Sequence, residues 1–129
     1  MKLSLQLNPN DRPADWTQIR EWREKHKRAP VATSFGVFDA DNESDNNFTE
    51  MIEFFDGLPT LVNGKLTWKR ADNSFVPLTK AEIIQVHAEI GQARANRGAV
   101  LHVKAEVFNQ MTPIPTPAQL SSLSFWLAQ

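Results

Sequence analysis

The chain has 129 residues, 41% of them hydrophobic and including four tryptophans and eight phenylalanines, so we expect one folded domain rather than a disordered chain. Its formal net charge is −1 and it contains no cysteine, which excludes disulfides, thiolate metal sites and a cysteine nucleophile. The N-terminus alternates apolar and polar residues and no apolar run approaches membrane-spanning length, so we expect a soluble protein that is not secreted by the usual route.

The charges are segregated along the chain. Residues 12–28 contain six basic and three acidic side chains, hence a net charge of +3, whereas residues 39–56 contain seven acidic side chains and no basic one. Two faces of opposite charge on one small domain suit docking on a charged neighbour or head-to-tail packing between copies. Two solvated faces that keep the protein soluble are the simpler interpretation.

The N-terminal part of the chain is predicted to form a short strand and then a helix. Residues 3–7 alternate leucine with polar residues, which is typical of a half-buried edge strand. Pro13 is favoured in a first helical turn, and Asn10 or Asp11 precedes it as a cap. We therefore expect a helix from Pro13 to about Lys27 with one apolar face.

An extended segment and a second helix are predicted next. Residues 31–38 mix β-branched and aromatic residues, which favours extended chain. Residues 44–55 carry apolar side chains at the spacing i, i+3, i+4 and i+7, which predicts an amphipathic helix. These apolar residues are Phe48, Met51, Ile52 and Phe55.

The middle of the chain carries two turn signals. Asn63-Gly64 lies between apolar runs and is the strongest short signal for a β-hairpin, because a type I′ turn needs positive φ at both central residues. Asp72-Asn73-Ser74 favours a second turn, after which residues 75–78 resume an extended run. The sequence therefore predicts a three-stranded antiparallel meander with Trp68 on its central strand. We expect Trp68 to be buried with Phe48, Ile52 and Ile83.

A long helix is predicted from Thr79 to about Gln110. Thr79 and Glu82 form a capping box, in which each side chain binds a backbone N–H near the helix start. A helix of roughly 30 residues is about 45 Å long, more than a domain of this size covers, so we expect its distal half to need a partner. An a/d heptad track runs along it, interrupted at a positions by Arg97 and Lys104. The apolar members of the track are Ile83, Val86, Ile90, Ala93, Val100 and Val107.

The C-terminal segment begins with a proline-rich stretch at residues 112–117, which is typical of a stiff spacer. Thr116-Pro117 is a favourable helix opening, and we expect a helix over residues 118–128. Its apolar face either docks on another chain or packs on the protein's own core.

These elements predict an α+β protein: a small antiparallel three-stranded meander with two shorter helices and one long C-terminal helix. We expect residues 1–111 to form a single domain and residues 112–129 to form a Pro-rich spacer and apolar docking segment. An interface is predicted along the distal long helix and the docking segment, because apolar surface of this kind rarely stays bare. Its residues are Val100, Leu101, Val107, Phe108, Leu120, Leu123, Trp126 and Leu127.

Residues 39–50 partly match an EF-hand calcium loop. Oxygen-bearing side chains stand at positions 1, 3, 5, 7, 9 and 12 of the stretch. Ser44 occupies the position where the loop needs glycine, and Asn46 stands where an apolar residue is expected. An acidic helix N-terminus capped by Asp41, Asn42 or Ser44 explains the same residues, and we favour it over a metal site.

No catalytic arrangement or cofactor motif is apparent. The three histidines, His26, His87 and His102, lack the spacing of metal ligands, and neither a phosphate-binding loop nor a nucleophile elbow occurs. Residues 20–28 are basic and contain Trp22, but the chain as a whole lacks the basic character of nucleic-acid-binding proteins. We therefore expect no enzyme, no cofactor, no nucleic-acid partner and no membrane contact.

Two segments resemble a known family. They are the stretch from Phe38 to Ser44, Phe-Asp-Ala-Asp-Asn-Glu-Ser, and the stretch from Trp68 to Thr79, in which a tryptophan, Asp-Asn-Ser and Leu-Thr precede the long helix. Over residues 16–108 the chain is similar to a small uncharacterised domain encoded among tail genes of tailed bacteriophages. That domain often stands beside, or is fused to, tail-fibre assembly proteins.

The resemblance implies a setting rather than a reaction. We expect a tail-associated structural protein of the baseplate, collar or tail-fibre attachment, made in the host cytoplasm and retained in the virion. Its partners would be other tail proteins, with self-association alongside. A tail-fibre assembly chaperone is the alternative, and an enzyme acting on host-surface polysaccharide, which would need paired carboxylates in a cleft, comes third.

Overall fold

The computed structural model describes residues 8–128, so the strand predicted at residues 3–7 lies outside the described residues. The described part is α+β, with five α-helices and two separate two-stranded antiparallel sheets. Short 3₁₀ helices lie at Pro9–Asp11 and Phe55–Gly57. In chain order the elements are α1 (Trp16–Lys27), β1 (Val31–Thr33), β2 (Gly36–Phe38), α2 (Asn42–Phe54), β3 (Leu66–Lys69), β4 (Phe75–Leu78), α3 (Lys80–Asn109), α4 (Pro117–Leu120) and α5 (Leu123–Ala128).

The chain divides into two compact units. Among the described residues, unit 1 combines residues 8–27 with residues 97–128, and unit 2 is the segment Arg28–Asn96. Each unit has its own cluster of buried apolar side chains. The boundary predicted at residue 112 falls inside unit 1.

Unit 2 contains both hairpins, helix α2 and the first part of α3. Helix α2 begins where Asp41 Oδ1 accepts a hydrogen bond from the Ser44 N–H at 2.8 Å, as an N-cap does. The two ends of the unit meet at Asn42, whose Oδ1 accepts long hydrogen bonds from Arg28 Nε at 3.4 Å and Arg94 Nη2 at 3.5 Å. The buried core residues are Val31, Phe38, Ala40, Phe48, Phe55, Leu78, Ile83, Val86 and Ile90.

The predicted three-stranded meander is wrong, although the turn in it is present. Asn63 and Gly64 adopt positive φ values of 54° and 75°, yet beyond them only an isolated bridge joins Val62 to Lys65. Leu58 and Leu61 pack against the core; their spacing of three does not match the two-residue alternation of a strand. The chain before the turn therefore does not pair with β3, and β3–β4 stays a two-stranded sheet.

The segment predicted as extended at residues 31–38 forms a hairpin, in which Val31 pairs with Phe38. Two hydrogen bonds join this hairpin to the turn after β3. Arg70 Nε donates to the Phe35 carbonyl at 2.9 Å, and the Ala71 N–H donates to the Val37 carbonyl at 2.9 Å. Such contacts between distant segments carry no local sequence signal.

The predicted long helix and its capping box are confirmed. The Glu82 N–H donates to Thr79 Oγ1 at 3.2 Å, and the Thr79 N–H donates to Glu82 Oε1 at 2.8 Å. Helix α3 then runs for 30 residues.

Trp68, which was predicted to be buried, is half-buried at the edge of the core. Its ring stacks on that of Phe48, with the ring centroids 4.7 Å apart.

Unit 1 contains α1, the distal part of α3, and both C-terminal helices. Helix α1 starts three residues later than predicted, because Asp15 and Gln18 form the capping box. The Gln18 N–H donates to Asp15 Oδ1 at 2.8 Å, and the Asp15 N–H donates to Gln18 Oε1 at 3.0 Å.

The single helix predicted over residues 118–128 is two helices. Ser122 Oγ, between them, accepts from the Phe125 N–H at 3.4 Å.

The core of unit 1 is made of residues from both ends of the chain. Its buried members are Ala14, Ile19, Leu101, Ala105, Phe108, Leu120 and Trp126. Among the described residues, no helix combines the length and apolarity needed to cross a bilayer.

Candidate functional site

The distal part of helix α3 carries apolar residues on two faces. One face is the buried track of Leu101, Ala105 and Phe108, which has no exposed surface. The other carries Val100, Val103 and Val107, which are 42%, 63% and 48% exposed. Their spacing of three and four places them next to one another on one side of the helix. We call this surface, together with the exposed Ala99, the valine face.

The heptad track predicted from the sequence and the buried track of helix α3 diverge along the helix, because the periodicity of an α-helix differs from a seven-residue repeat. A straight α-helix rotates by about 20° per heptad relative to that repeat. The heptad track starts in the core of unit 2 at Ile83 and Val86 and comes to the surface at Val100 and Val107. Residues one position on, such as Leu101, take over the buried side.

Exposed valines in mid-helix conflict with both helix propensity and solubility. Valine loses side-chain freedom in a helix, so a solvated helical position gains nothing from it. Three valines on one exposed face therefore need another explanation, and contiguous exposed apolar surface is typical of a protein–protein contact. The valine face is the candidate functional site.

The structure divides the predicted interface residues into two groups. Leu101, Phe108, Leu120 and Trp126 have no exposed surface, so in this conformation they contact their own chain and no partner. Leu123 packs half-buried against the same core. Val100, Val107 and Leu127 are exposed, and for them contact with a partner stays a prediction.

The C-terminal segment is held in unit 1 by specific polar contacts as well as by packing. The Leu120 carbonyl accepts from His26 Nε2 at 2.7 Å and from the Trp126 indole N–H at 2.8 Å. His26 also stacks on Trp22 at 5.5 Å and meets the edge of Trp126 at 5.8 Å between centroids. Of the two alternatives for this segment, packing on the protein's own core is the one the structure adopts.

The acidic stretch from residue 39 to residue 50 is mostly helical, since α2 begins at Asn42. The hydrogen bond from the Ser44 N–H lowers the pKa of Asp41. Asp45 Oδ1 lies 2.9 Å from His87 Nε2 and 3.9 Å from Arg94 Nη1. Among the described residues no three metal-ligating side chains converge.

Sequence reasoning missed Val103, the most exposed member of the valine face. It falls outside the heptad track, and only the 3.6-residue periodicity of α3 groups it with Val100 and Val107. The role of His26 was also missed, because its hydrogen-bond acceptor stands 94 residues further along the chain.

A family model described as "Domain of unknown function (DUF4376)" matches residues 10–121. No curated protein matches the chain significantly. No solved structure matches it significantly either.

Proposed function

The chain belongs to the DUF4376 family, and from that premise we propose that it is a protein-interaction module of a bacteriophage tail. Its valine face contacts another protein of the baseplate, collar or tail-fibre attachment. The protein is made in the host cytoplasm and stays in the tail of the virion.

The observation that carries this proposal is the exposure of Val100, Val103 and Val107 opposite the buried face of the same helix. Burying an exposed valine removes apolar area from water and contributes up to about 1.5–3 kcal/mol for a complete side chain. Three adjacent valines therefore supply a compact apolar patch for a partner.

A different protein is favoured over a second copy as the main partner. Two chains paired along the heptad track would meet Arg97 and Lys104 at a positions, where charged side chains weaken a coiled-coil seam. Arg97 Nη1 also donates to the His26 carbonyl at 3.2 Å, so its head group is engaged within unit 1. Self-association is therefore at most a secondary contact beside the contact with a different protein.

The tail setting is supported by the resemblance of residues 38–44 and 68–79 to a domain encoded among tail genes. The family match over residues 10–121 covers both segments. It adds no activity of its own, since the family is described as one of unknown function.

A tail-fibre assembly chaperone is the second candidate. The valine face lies outside the buried core of unit 1, so it is free to bind a fibre transiently and release it. Mass spectrometry of purified particles separates the two functions: a structural component is present in stoichiometric amounts and a chaperone only in traces.

The test replaces Val103 and Val107 with lysine in the phage that encodes the protein. Both side chains are exposed, so the variant should fold with an unchanged circular dichroism spectrum and melting temperature. We expect its amount in particles to fall by about tenfold or more, because each 1.4 kcal/mol of lost binding is a factor of ten. Ile84→Lys is the matched control, since Ile84 is an exposed apolar residue of the same helix outside the valine face.

Incorporation of the double variant at the wild-type level would show that the valine face is not the contact. Traces of the wild-type protein in particles would favour the chaperone. Its absence from particles and from every assembly intermediate would overturn the tail proposal itself.

A further inference from the structure

Unit 2 contains an open cleft between helix α2 and strand β3. Its volume is 640 Å³, within the roughly 300–1,000 Å³ of typical ligand sites. Phe48 and Trp68 are stacked in its wall with centroids 4.7 Å apart, and Leu66 and Met51 extend this apolar surface. Trp68 is half-buried, so part of its ring remains available to a ligand.

The rim of the cleft is acidic. Asp39, Asp41 and Glu43 line it together with one basic residue, Lys69, so three negative charges face one positive charge. Asp41 is negatively charged at neutral pH, as an ordinary aspartate is, and the hydrogen bonds from Ser44 lower its pKa further. The carboxylates of Asp39 and Glu43 are exposed and make no hydrogen bond or ion pair within the described part of the chain.

Strand β3 adds backbone hydrogen-bonding groups to the cleft. The Arg70 N–H donates to the Ser74 carbonyl at 2.7 Å, so Arg70 and Ser74 form a hydrogen-bonded pair. Hydrogen-bonded and non-hydrogen-bonded pairs alternate along an antiparallel ladder, so the next hydrogen-bonded residue of β3 is Trp68, opposite Val76. The N–H and C=O groups of Thr67 and Lys69 therefore point away from β4, and both residues line the cleft. Pro77, which has no N–H, stands opposite Thr67, at a position where the ladder needs no donor.

From these three features we infer that the cleft binds an extended basic peptide segment of another protein. The segment adds alongside β3 by backbone hydrogen bonds, as peptides do at open strand edges. The aliphatic stem of an arginine or lysine packs on Trp68 and Leu66 while its charged head reaches Asp39 and Glu43. A small cation would leave the strand edge unused, and the acidic rim repels nucleic acid. This site belongs to unit 2 and is independent of the valine face.

The probe is a capped pentapeptide, acetyl-Ala-Arg-Ala-Arg-Ala-amide, whose two arginines lie on one side of an extended chain. It is titrated into ¹⁵N-labelled full-length protein at low salt and followed by NMR. We expect saturable shifts at the amides of Thr67 and Lys69 and at the Trp68 indole. The same peptide with glutamate in place of arginine should shift none of them.

The variant that tests the charges is Asp39→Asn/Glu43→Gln, which leaves the Asp41 cap intact. Because both residues are exposed and unbonded, the fold should persist, as the amide spectrum and melting temperature will show. We expect peptide affinity to fall by about fivefold or more, as for two solvent-screened charge pairs. Glu50→Gln/Glu53→Gln is the matched control: it removes two exposed charges of the same helix outside the cleft, and affinity should stay within about twofold.

Four results of the peptide titrations would overturn the inference, and two further experiments could also do so. The four are no saturable shift up to about 10 mM peptide, equal binding of the glutamate peptide, shifts confined to other surfaces, and equal weakening by the control variant. If arginine amide alone binds as tightly as the pentapeptide, the strand edge takes no part and the ligand is not an extended segment. If sedimentation shows a dimer that Asp39→Asn/Glu43→Gln abolishes, the occupant is a second copy and the inference of a foreign segment is wrong.

Discussion

At the level of single residues, His26 is the polar side chain on which the core of unit 1 depends. It is buried, and its ring lies between Trp22 and Trp126 while Nε2 donates to the Leu120 carbonyl. A carbonyl can only accept, so Nε2 must carry the proton. The ring therefore contributes both packing and a hydrogen bond to the attachment of the C-terminal segment.

We predict that His26→Ala destabilises the protein by about 2–4 kcal/mol, because it removes a hydrogen bond and leaves a cavity between two indoles. Urea unfolding followed by tryptophan fluorescence measures this. His102→Ala is the control, since His102 is exposed and its truncation should change stability by less than about 0.5 kcal/mol. Equal effects of the two substitutions would show that the buried ring contributes no special stability.

At the level of elements, the carboxylate of Asp41 caps the start of helix α2. Its pKa is lowered from the model-compound value of 3.8 by the hydrogen bonds from Ser44. A carboxyl group with a lowered folded-state pKa stabilises the fold above its unfolded pKa, and this stability is lost as the pH falls through the folded pKa. The charge contributes because it lies at the positive end of the helix dipole.

We predict that Asp41→Asn, which keeps a capping side chain, lowers stability at pH 7 by about 0.3–1 kcal/mol. The difference from the wild type should shrink as the pH is lowered below 3.8 and vanish once Asp41 is protonated. Thermal melting across that pH range tests the sign. A difference that grows with acidification would contradict it.

The elements that could be predicted are those with local causes. The Thr79/Glu82 capping box and the 30-residue helix after it follow from residues close together in sequence. The Asp15/Gln18 box is equally local, and it was missed because Pro13 suggested an earlier start. The meander prediction failed for a non-local reason, since Leu58 and Leu61 pack against a core that includes residues distant in sequence, such as Val31 and Ile90.

The candidate site was predictable to a similar extent. Val100 and Val107 were identified from the apolar pattern of α3, and both are exposed. Leu101 and Phe108 share that pattern but are buried against α1 and the C-terminal helices, a packing that the periodicity of one helix cannot reveal. Asp39 and Lys69 both line the cleft in unit 2 although they are 30 residues apart, and no short sequence motif predicts that they lie at one site.

At the scale of the whole molecule, the last part of the chain is part of a core rather than an appendage. Leu120 and Trp126 are buried beside Ile19 and Leu101, and the Ala14 N–H donates to the Pro115 carbonyl at 2.9 Å. Unit 2 has a separate buried cluster that includes none of these residues. Loss of the C-terminal segment should therefore affect the two units differently.

We predict that deleting residues 112–129 unfolds unit 1, because the deletion opens a core that includes a fully buried tryptophan and such losses cost at least about 3–5 kcal/mol. Hydrogen exchange should show lost protection at Ile19 and Leu101, while Phe48 and Ile83 stay protected. The control truncation ends the chain after Trp126 and should leave both units protected, since Leu127 is exposed. Unchanged protection in the longer deletion would show that the segment is a dispensable tail.

The meeting of Arg28 and Arg94 at Asn42 has a consequence for the order of events during synthesis. Unit 2 is one continuous segment, Arg28–Asn96, whereas unit 1 needs both ends of the chain, so unit 1 cannot fold until the C-terminal segment has been made. Once unit 2 has folded, its two ends lie near Asn42, so the intervening loop is already closed and the segments of unit 1 associate at a smaller entropy cost. Until then the apolar side of α1, with Ile19 and Trp22, has no core to join. The nascent protein therefore passes through a stage in which that surface is open to chaperones or to aggregation.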